Sequence, residues 1–242
     1  MTSSVQAISV WGLVLSFIPA LVVLIILVRW AEDAKGSVYA LARMLIQLLL
    51  VGYVLTFIFT TQHAVIIGLV LSVMLIAASW ISLRPLKAKQ PLLYLKAFAA
   101  IVISGVPILA LVTQLVVDVE PWFQPRYVVP LAGMIFASSM NTLSLAAERY
   151  EAETGQAEPY LRARNTAMQA SLIPTINSML AVGLVSLPGM MTGQILSGTP
   201  PLIAVKYQIV VMCMVFGASG ISAAVYLSLL KPKAHQPPTT TE

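Results

Sequence analysis

The stretch AVIIGLVLSVMLIAASWISL, residues 64–83, decides the fold class. It carries no charged side chain, and a helix of about 20 apolar residues is what crosses the hydrocarbon core of a bilayer. Six further runs have a similar length and character. The sequence therefore predicts an all-α, polytopic membrane protein with about seven transmembrane helices. The predicted spans are 10–28, 39–60, 64–83, 97–117, 128–147, 167–187 and 207–230.

Composition supports the same environment for the whole chain. Hydrophobic residues make up 59% of it and charged residues only 10%, whereas soluble domains carry about 25% charged residues. The mean hydropathy is +0.90. We therefore predict a single transmembrane domain over residues 1–242, placed as a multi-pass protein in the cell inner (plasma) membrane with the lipid bilayer around it.

The distribution of basic residues predicts the orientation. All but two of the 14 lysines and arginines fall in the segments after the first, third, fifth and seventh spans or beside them; the exceptions are Arg126 and Lys206. By the positive-inside rule, the N-terminus lies outside and the C-terminus inside, with residues 231–242 as a disordered cytoplasmic tail. The net charge of +5 is thus a topology signal, and we predict no nucleic-acid partner.

Acidic residues are informative by their position. None of the nine lies in a predicted span, although transporters driven by protons or sodium usually bind the coupling ion with an intramembrane carboxylate. The chain also lacks a G-x-x-x-x-G-K-[ST] motif, so it cannot hydrolyse ATP by itself. No catalytic residue and no metal-ligand spacing is evident, and the sequence predicts a transport subunit, not an enzyme, without a cofactor of its own.

One apolar region is interrupted in an unusual way. Residues 186–198, SLPGMMTGQILSG, contain a proline, three glycines and a glutamine. Such a break is tolerated in a bilayer where protein or a water-lined cavity satisfies the backbone. The segment is therefore a candidate element of a substrate path, and a helix end leading into an outer loop is the alternative. We expect the chain to bend near Pro188, where Gly189 and Gly193 permit non-helical dihedrals. The candidate path residues here are Pro188, Gly189, Met190, Met191, Gly193 and Gln194.

The fifth and sixth predicted spans add polar candidates. Met134, Ser138 and Asn141 are spaced i, i+4, i+7, so they share one helix face. Asn141 in hydrocarbon needs a partner on another helix or a water-filled path. Asn177 adds a second amide in the sixth span. We therefore expect these four residues to line the path together with the interrupted segment.

The segment 148–166 is the largest polar piece between spans. It begins ERYEAETGQAEPYLRAR, with both charge signs interspersed, and polar spans bracket it. A solvated loop is one interpretation, and a docking element for a soluble partner is the other. The candidate coupling residues are Glu148, Arg149, Gly155, Arg162 and Arg164.

Several of these stretches carry a family resemblance. GLVSLPGMMTGQILSG at 183–198, followed by KYQI at 206–209, resembles the signature of the FetB-type iron-export ABC permeases and of plant aluminium-tolerance membrane subunits. SLIPTINSM at 171–179 and Gly133-Met134-Ile135 are similar too. Two positions depart from the family pattern: Ala137-Ser138, where Gly-Asn is usual, and the stretch around Gly155.

The resemblance implies the membrane half of an ABC exporter. Its partner would be a soluble ABC ATPase that supplies ATP hydrolysis, and two permeases and two ATPases would form the working unit. The cargo would be iron or another metal species. Two classes stay open beside it: a secondary transporter or channel that needs no ATPase, and a non-transporting membrane scaffold.

Overall fold

A computed structural model describes residues 8–30, 34–60, 63–86 and 90–230. It divides into two compact units. The first comprises the described parts of Met1–Thr61 together with Leu196–Gly198, and the second those of Gln62–Ile195 and Thr199–Glu242. The predicted tail, residues 231–242, lies outside the described residues.

The first unit consists of three helices: α1 (Val10–Leu15), α2 (Ile18–Trp30) and α3 (Ala34–Thr60). Ser9 caps α1, since its hydroxyl accepts from the Gly12 N–H at 3.1 Å. α2 packs against α3. α1 and α2 bury no residue, and their apolar side chains lie on the surface, as expected for helices that contact lipid.

The second unit holds the other helices of the described chain and carries the candidate site. They are α4 (Ala64–Ser82), α5 (Pro91–Ala110) with a π-helical continuation (Leu111–Val116), α6 (Pro125–Gly155), α7 (Tyr160–Ala181), α8 (Gly189–Leu196) and α9 (Pro201–Leu229). No strand occurs among the described residues. The all-α polytopic fold predicted from the sequence is confirmed.

α6 forms the centre of this unit and packs against α4, α5, α7 and α9. Small residues permit this packing. A Cβ at Gly105 of α5 would lie 3.0 Å from Ile135 and 3.1 Å from Phe136 of α6, so a larger residue there would require these side chains to shift. On the α9 side, the Ser139 hydroxyl donates to the Ala218 carbonyl at 3.3 Å. Close backbone approach through small residues is the usual way in which membrane helices associate.

Helix length and composition identify six membrane spans, whereas helix packing indicates a seventh. Six helices of the described chain are long and apolar enough to cross a membrane. The predicted sixth span, 167–187, falls mainly on α7, which is helical but not one of those six. Its 22 residues span about 33 Å at 1.5 Å per residue, enough for a hydrocarbon core of about 30 Å.

Contacts at both ends show that α7 runs beside α9 over its full length. At its start, the Tyr160 hydroxyl donates to the Leu227 carbonyl near the end of α9, at 2.9 Å. Past its end, Gly183 lines a cavity with Val205 and Gln208 near the start of α9. α7 is therefore antiparallel to α9 and lies beside it from the region of Leu227 to that of Val205, as a seventh span does. The N-outside orientation stays a prediction.

Candidate functional site

The interruption after α7 lies earlier in the chain than the sequence suggested. We expected the break at Pro188, with Gly189 and Gly193 supplying non-helical backbone. Instead α7 ends at Ala181, and Gly183 turns the chain with a φ of +79°. Its N–H donates to the Ser186 carbonyl at 2.9 Å. A left-handed backbone favours glycine because a Cβ would crowd the following carbonyl.

Gly189 and Gly193 are helical, which corrects the expected source of flexibility. Both lie in α8, and a Cβ added at either would meet no atom within 4 Å. The Pro188 carbonyl is satisfied as well, because it accepts from the Thr192 N–H at 3.0 Å and from the Thr192 hydroxyl at 3.1 Å. The second left-handed glycine of the segment is Gly198, with a φ of +92°.

The largest group of predicted path residues meets in a cavity of about 470 Å³, which we call the Arg126 cavity. α6, α8 and α9 contribute most of its wall, and Met134, Met190 and Gln194 are the predicted residues among its lining. The polar groups around them come from Arg126, Tyr127, Thr199 and Tyr207, and apolar side chains complete it. Ligand sites of small molecules have this character: a mostly apolar wall with a few convergent polar groups.

Local sequence explains how α6 contributes to this cavity. Arg126, Pro130 and Met134 are four residues apart, so they follow one another along a single face of α6. Met190 and Gln194 of α8 have the same spacing. The side-chain carbonyl oxygen of Gln194 is buried and has no hydrogen-bond partner. An acceptor in this state requires a donor from water or a ligand.

Ser138 and Asn141 line a different, smaller groove of about 250 Å³. α7 forms its other side with Ser171, Thr175 and Ser178, so the two most polar spans do face each other. Asn177 does not line this groove and is exposed. The structure thus brings Ser138 and Asn141 together in the groove and leaves Asn177 outside it.

Met191 lies apart from Met190, in a third cavity of about 310 Å³ between the α7–α8 turn and α9. Gln208 and Cys213 of α9 share that cavity. Gln208 is only 6% exposed, and its side-chain carbonyl oxygen has no hydrogen-bond partner. Sequence analysis assigned no role to Gln208. A glutamine within an otherwise apolar helix was the sequence feature that could have identified it.

The predicted coupling segment is a helix–turn–helix. α6 continues through Glu148, Arg149 and Gly155 and ends there, and α7 begins at Tyr160. The 31 residues of α6 are about 46 Å long, so one end of this helix must project beyond a 30 Å hydrocarbon core. The charged C-terminal turns are the part suited to water. We call residues 148–164 the α6–α7 turn.

The three arginines of the α6–α7 turn each contact a side chain of the same chain. Arg149 forms an ion pair with Glu153, and Arg162 lies 3.5 Å from Glu158. Arg164 donates to the Asn165 side-chain oxygen at 3.2 and 3.3 Å. Its guanidinium also lies 5.9 Å from the centre of the Tyr160 ring.

Two aromatic residues attach this turn to the bundle. Tyr150 and Tyr160 pack edge to face with ring centres 6.2 Å apart. The Tyr160 hydroxyl also donates a hydrogen bond to the Leu227 carbonyl of α9. Gly155 is different, because a Cβ there would meet no atom within 4 Å. The turn therefore offers a supported, charged surface with an open position at Gly155.

A fourth cavity of about 640 Å³ opens at the same end of the bundle as the turn. Glu151, Thr154 and Tyr226 lie in its wall with Lys96 from α5. No group of three or more histidine, cysteine, aspartate or glutamate side chains that could hold a metal occurs among the described residues.

Comparisons with known proteins agree with the predicted resemblance. The model of an uncharacterised protein family (UPF0014) matches residues 9–234. A UPF0014 membrane protein of Synechocystis, slr1647, is 36% identical over 76% of this chain and 77% of its own. The probable iron export permease protein FetB of Escherichia coli is 34% identical over 87% of this chain and 88% of its own.

The similarity extends to plants. The UPF0014 membrane protein STAR2 of Oryza sativa is 32% identical over 80% of this chain and 72% of its own. No solved structure matches the chain. A family model that covers nearly all of the sequence, together with relatives above 30% identity over most of their length, leaves one assignment: the chain belongs to the UPF0014 family of membrane proteins.

Proposed function

We propose that this membrane protein is the permease subunit of an ABC exporter that moves iron or another metal species out of the cell. The observation that carries the proposal is its 34% identity to FetB, a probable iron export permease, over 88% of that protein. The span layout, the missing nucleotide-binding motif and the absence of a carboxylate from the predicted spans are consistent with a transporter powered by another chain.

The proposal assigns energy coupling to the α6–α7 turn. A soluble ATPase would dock on it, and two permeases would assemble with two ATPases. Because α6 and α7 are continuous from the turn to the cavities, a displacement of the turn can be passed to both helices as rigid elements. The path would include the Arg126 cavity, the groove at Ser138 and Asn141, and the α7–α8 segment.

Reconstitution separates this function from its alternatives. The purified permease is placed in liposomes, with the ATPase from its gene neighbourhood added outside, and metal accumulation inside is measured. We expect accumulation of iron that requires ATP and the ATPase. Equal accumulation without the ATPase would instead indicate a secondary transporter or channel, and none under any condition would favour a scaffold.

Gene order offers an inexpensive independent check. We expect an ABC ATPase gene next to the permease gene. Copurification of its product in equal amounts with the permease, measured by mass photometry, would support the two-plus-two assembly.

A further inference from the structure

The Arg126 cavity has a charge that does not suit a free metal cation. Its lining includes one cationic side chain, Arg126, and no carboxylate. Among the described residues, Arg126 has no acidic partner within 4 Å, since the ion pairs there are those of Arg149 and Arg162. An unpaired guanidinium beside a binding cavity repels metal ions and attracts oxyanions, which it can bind through two parallel hydrogen bonds.

The volume leads to the same conclusion. A bare divalent or trivalent cation is bound by about six oxygen atoms at roughly 2.0–2.6 Å, which occupies far less space than this cavity offers. About 470 Å³ is the size of a site for a small organic molecule. The thioethers of Met134 and Met190 are soft, so they are poor ligands for iron(III), a hard cation.

The remaining polar groups of the cavity indicate which functional groups the ligand carries. The buried carbonyl oxygen of Gln194 has no donor, so a ligand hydroxyl or a ligand-bound water would satisfy it. The Thr199 and Tyr207 hydroxyls can donate to oxyanions. A ligand that combines several carboxylates with a hydroxyl or a metal-bound water carries a partner for each of these groups.

We propose that the Arg126 cavity binds an anionic hydroxycarboxylate complex of the metal, and that the chain thus moves a chelated metal ion. This inference rests on the proposed function for the identity of the cargo as a metal species. It adds that Arg126 recognises the organic anion, while the metal remains bound by the ligand and makes no bond to the protein.

Binding to the permease alone tests the inference without any ATPase. The full chain is placed in phosphatidylcholine nanodiscs and titrated with iron(III)–citrate, with citrate alone and with iron(II) alone. We expect binding of the iron(III)–citrate complex, weaker binding of citrate and none of iron(II). Arg126→Gln should weaken binding of the complex about tenfold or more, as expected for a lost charge-assisted contact.

Lys206 provides the matched control. It is the other basic residue at this end of the bundle and is exposed like Arg126, but it does not line the cavity. Lys206→Gln should bind the complex as the wild type does, and Arg126→Lys should retain part of the affinity. Equal binding by Arg126→Gln and wild type would overturn the proposal, as would iron(II) binding in the absence of citrate.

A lipid headgroup is a second source of oxyanions near Arg126. The titration is therefore repeated in nanodiscs that contain phosphatidylglycerol. Retained binding of iron(III)–citrate supports the proposal, and complete loss would assign Arg126 to the lipid and overturn it. Because these measurements need no transport, Arg126-dependent binding with failed ATP-driven export would refute the exporter function alone. ATP-driven export of free iron with no binding of the complex would refute the chelate alone.

Discussion

At the α6–α7 turn, the arginine side chains are paired within the chain, whereas at the opposite end of the same helices polar atoms lie without partners. Arg149 and Arg162 each contact a glutamate. At the other end, Arg126 has no acidic neighbour within the described chain, and the carbonyl oxygens of Gln194 and Gln208 accept no hydrogen bond. Unsatisfied buried polar atoms reduce stability, so their retention points to a ligand or water that completes them.

The comparison suggests that each end has a separate task. A turn whose arginines contact glutamates of the same turn, and which Tyr160 attaches to α9, can serve as a docking surface. A cavity with unsatisfied groups is completed only when something binds. Since the two ends are separated by the length of α6, α7 and α9, a substitution at one end should leave the fold of the other intact.

The largest expected effect comes from blocking the turn at Gly155. A side chain there meets nothing within the chain, so Gly155→Trp should fold normally but collide with a docked ATPase. We expect loss of ATPase copurification and a fall of at least about 100-fold in ATP-driven transport, since displaced coupling elements remove binding energy of several kcal/mol. Thermal stability of the isolated permease should not change.

Gly155→Ala is the matched control for size. It should retain copurification and transport. If the Gly155→Trp variant copurified with the ATPase as the wild type does, the ATPase would dock elsewhere. The turn would then have no docking role.

Gln194→Leu should have the next largest effect, at the opposite end. It removes a buried acceptor without a partner, so we expect transport to fall about tenfold while the free energy of unfolding stays equal or rises by about 1 kcal/mol. Transport in liposomes and thermal unfolding of the same preparation measure both quantities. ATPase copurification should be unaffected.

Gln169→Leu makes the same chemical change at an exposed position of α7 that lines none of the cavities described. It should leave transport unchanged. A loss of stability in Gln194→Leu would mean that the amide supports the fold, and its role in the path would then need another explanation.

Sequence patterns predicted the spans well but not their ends. Hydropathy reports contact with lipid, and it therefore stopped the fifth span at residue 147, although α6 continues through Gly155. The added turns, residues 148–155, contain three glutamates with one arginine and one alanine, all of which favour helix in water as well. For α7 the low hydropathy arises mainly from Arg162, Arg164 and Asn165 in its first turns. Polar residues farther along, such as Ser171 and Thr175, face α6 across a groove and lower it further.

Periodicity predicted the shared face of Met134, Ser138 and Asn141, but not that two cavities divide it. Seven residues of helix rise about 10 Å, and Met134 lies in the Arg126 cavity while the other two line the groove beside α7. Arg126 was recognised only as an exception to the positive-inside pattern. Its position in a cavity wall depends on where α8 and α9 pack, which no local pattern specifies.

The smallest expected effect distinguishes the glycine that turns the chain from the glycines that merely occupy a helix. Gly183 has a φ of +79°, so Gly183→Ala should lower the free energy of unfolding by about 1–2 kcal/mol. Gly193 lies inside α8 with open space around it, so Gly193→Ala should raise it by about 0.5–1 kcal/mol. Thermal unfolding in one detergent measures both. Shifts of opposite sign would place the conformational constraint at Gly183, before Pro188, and shifts of the same sign would contradict it.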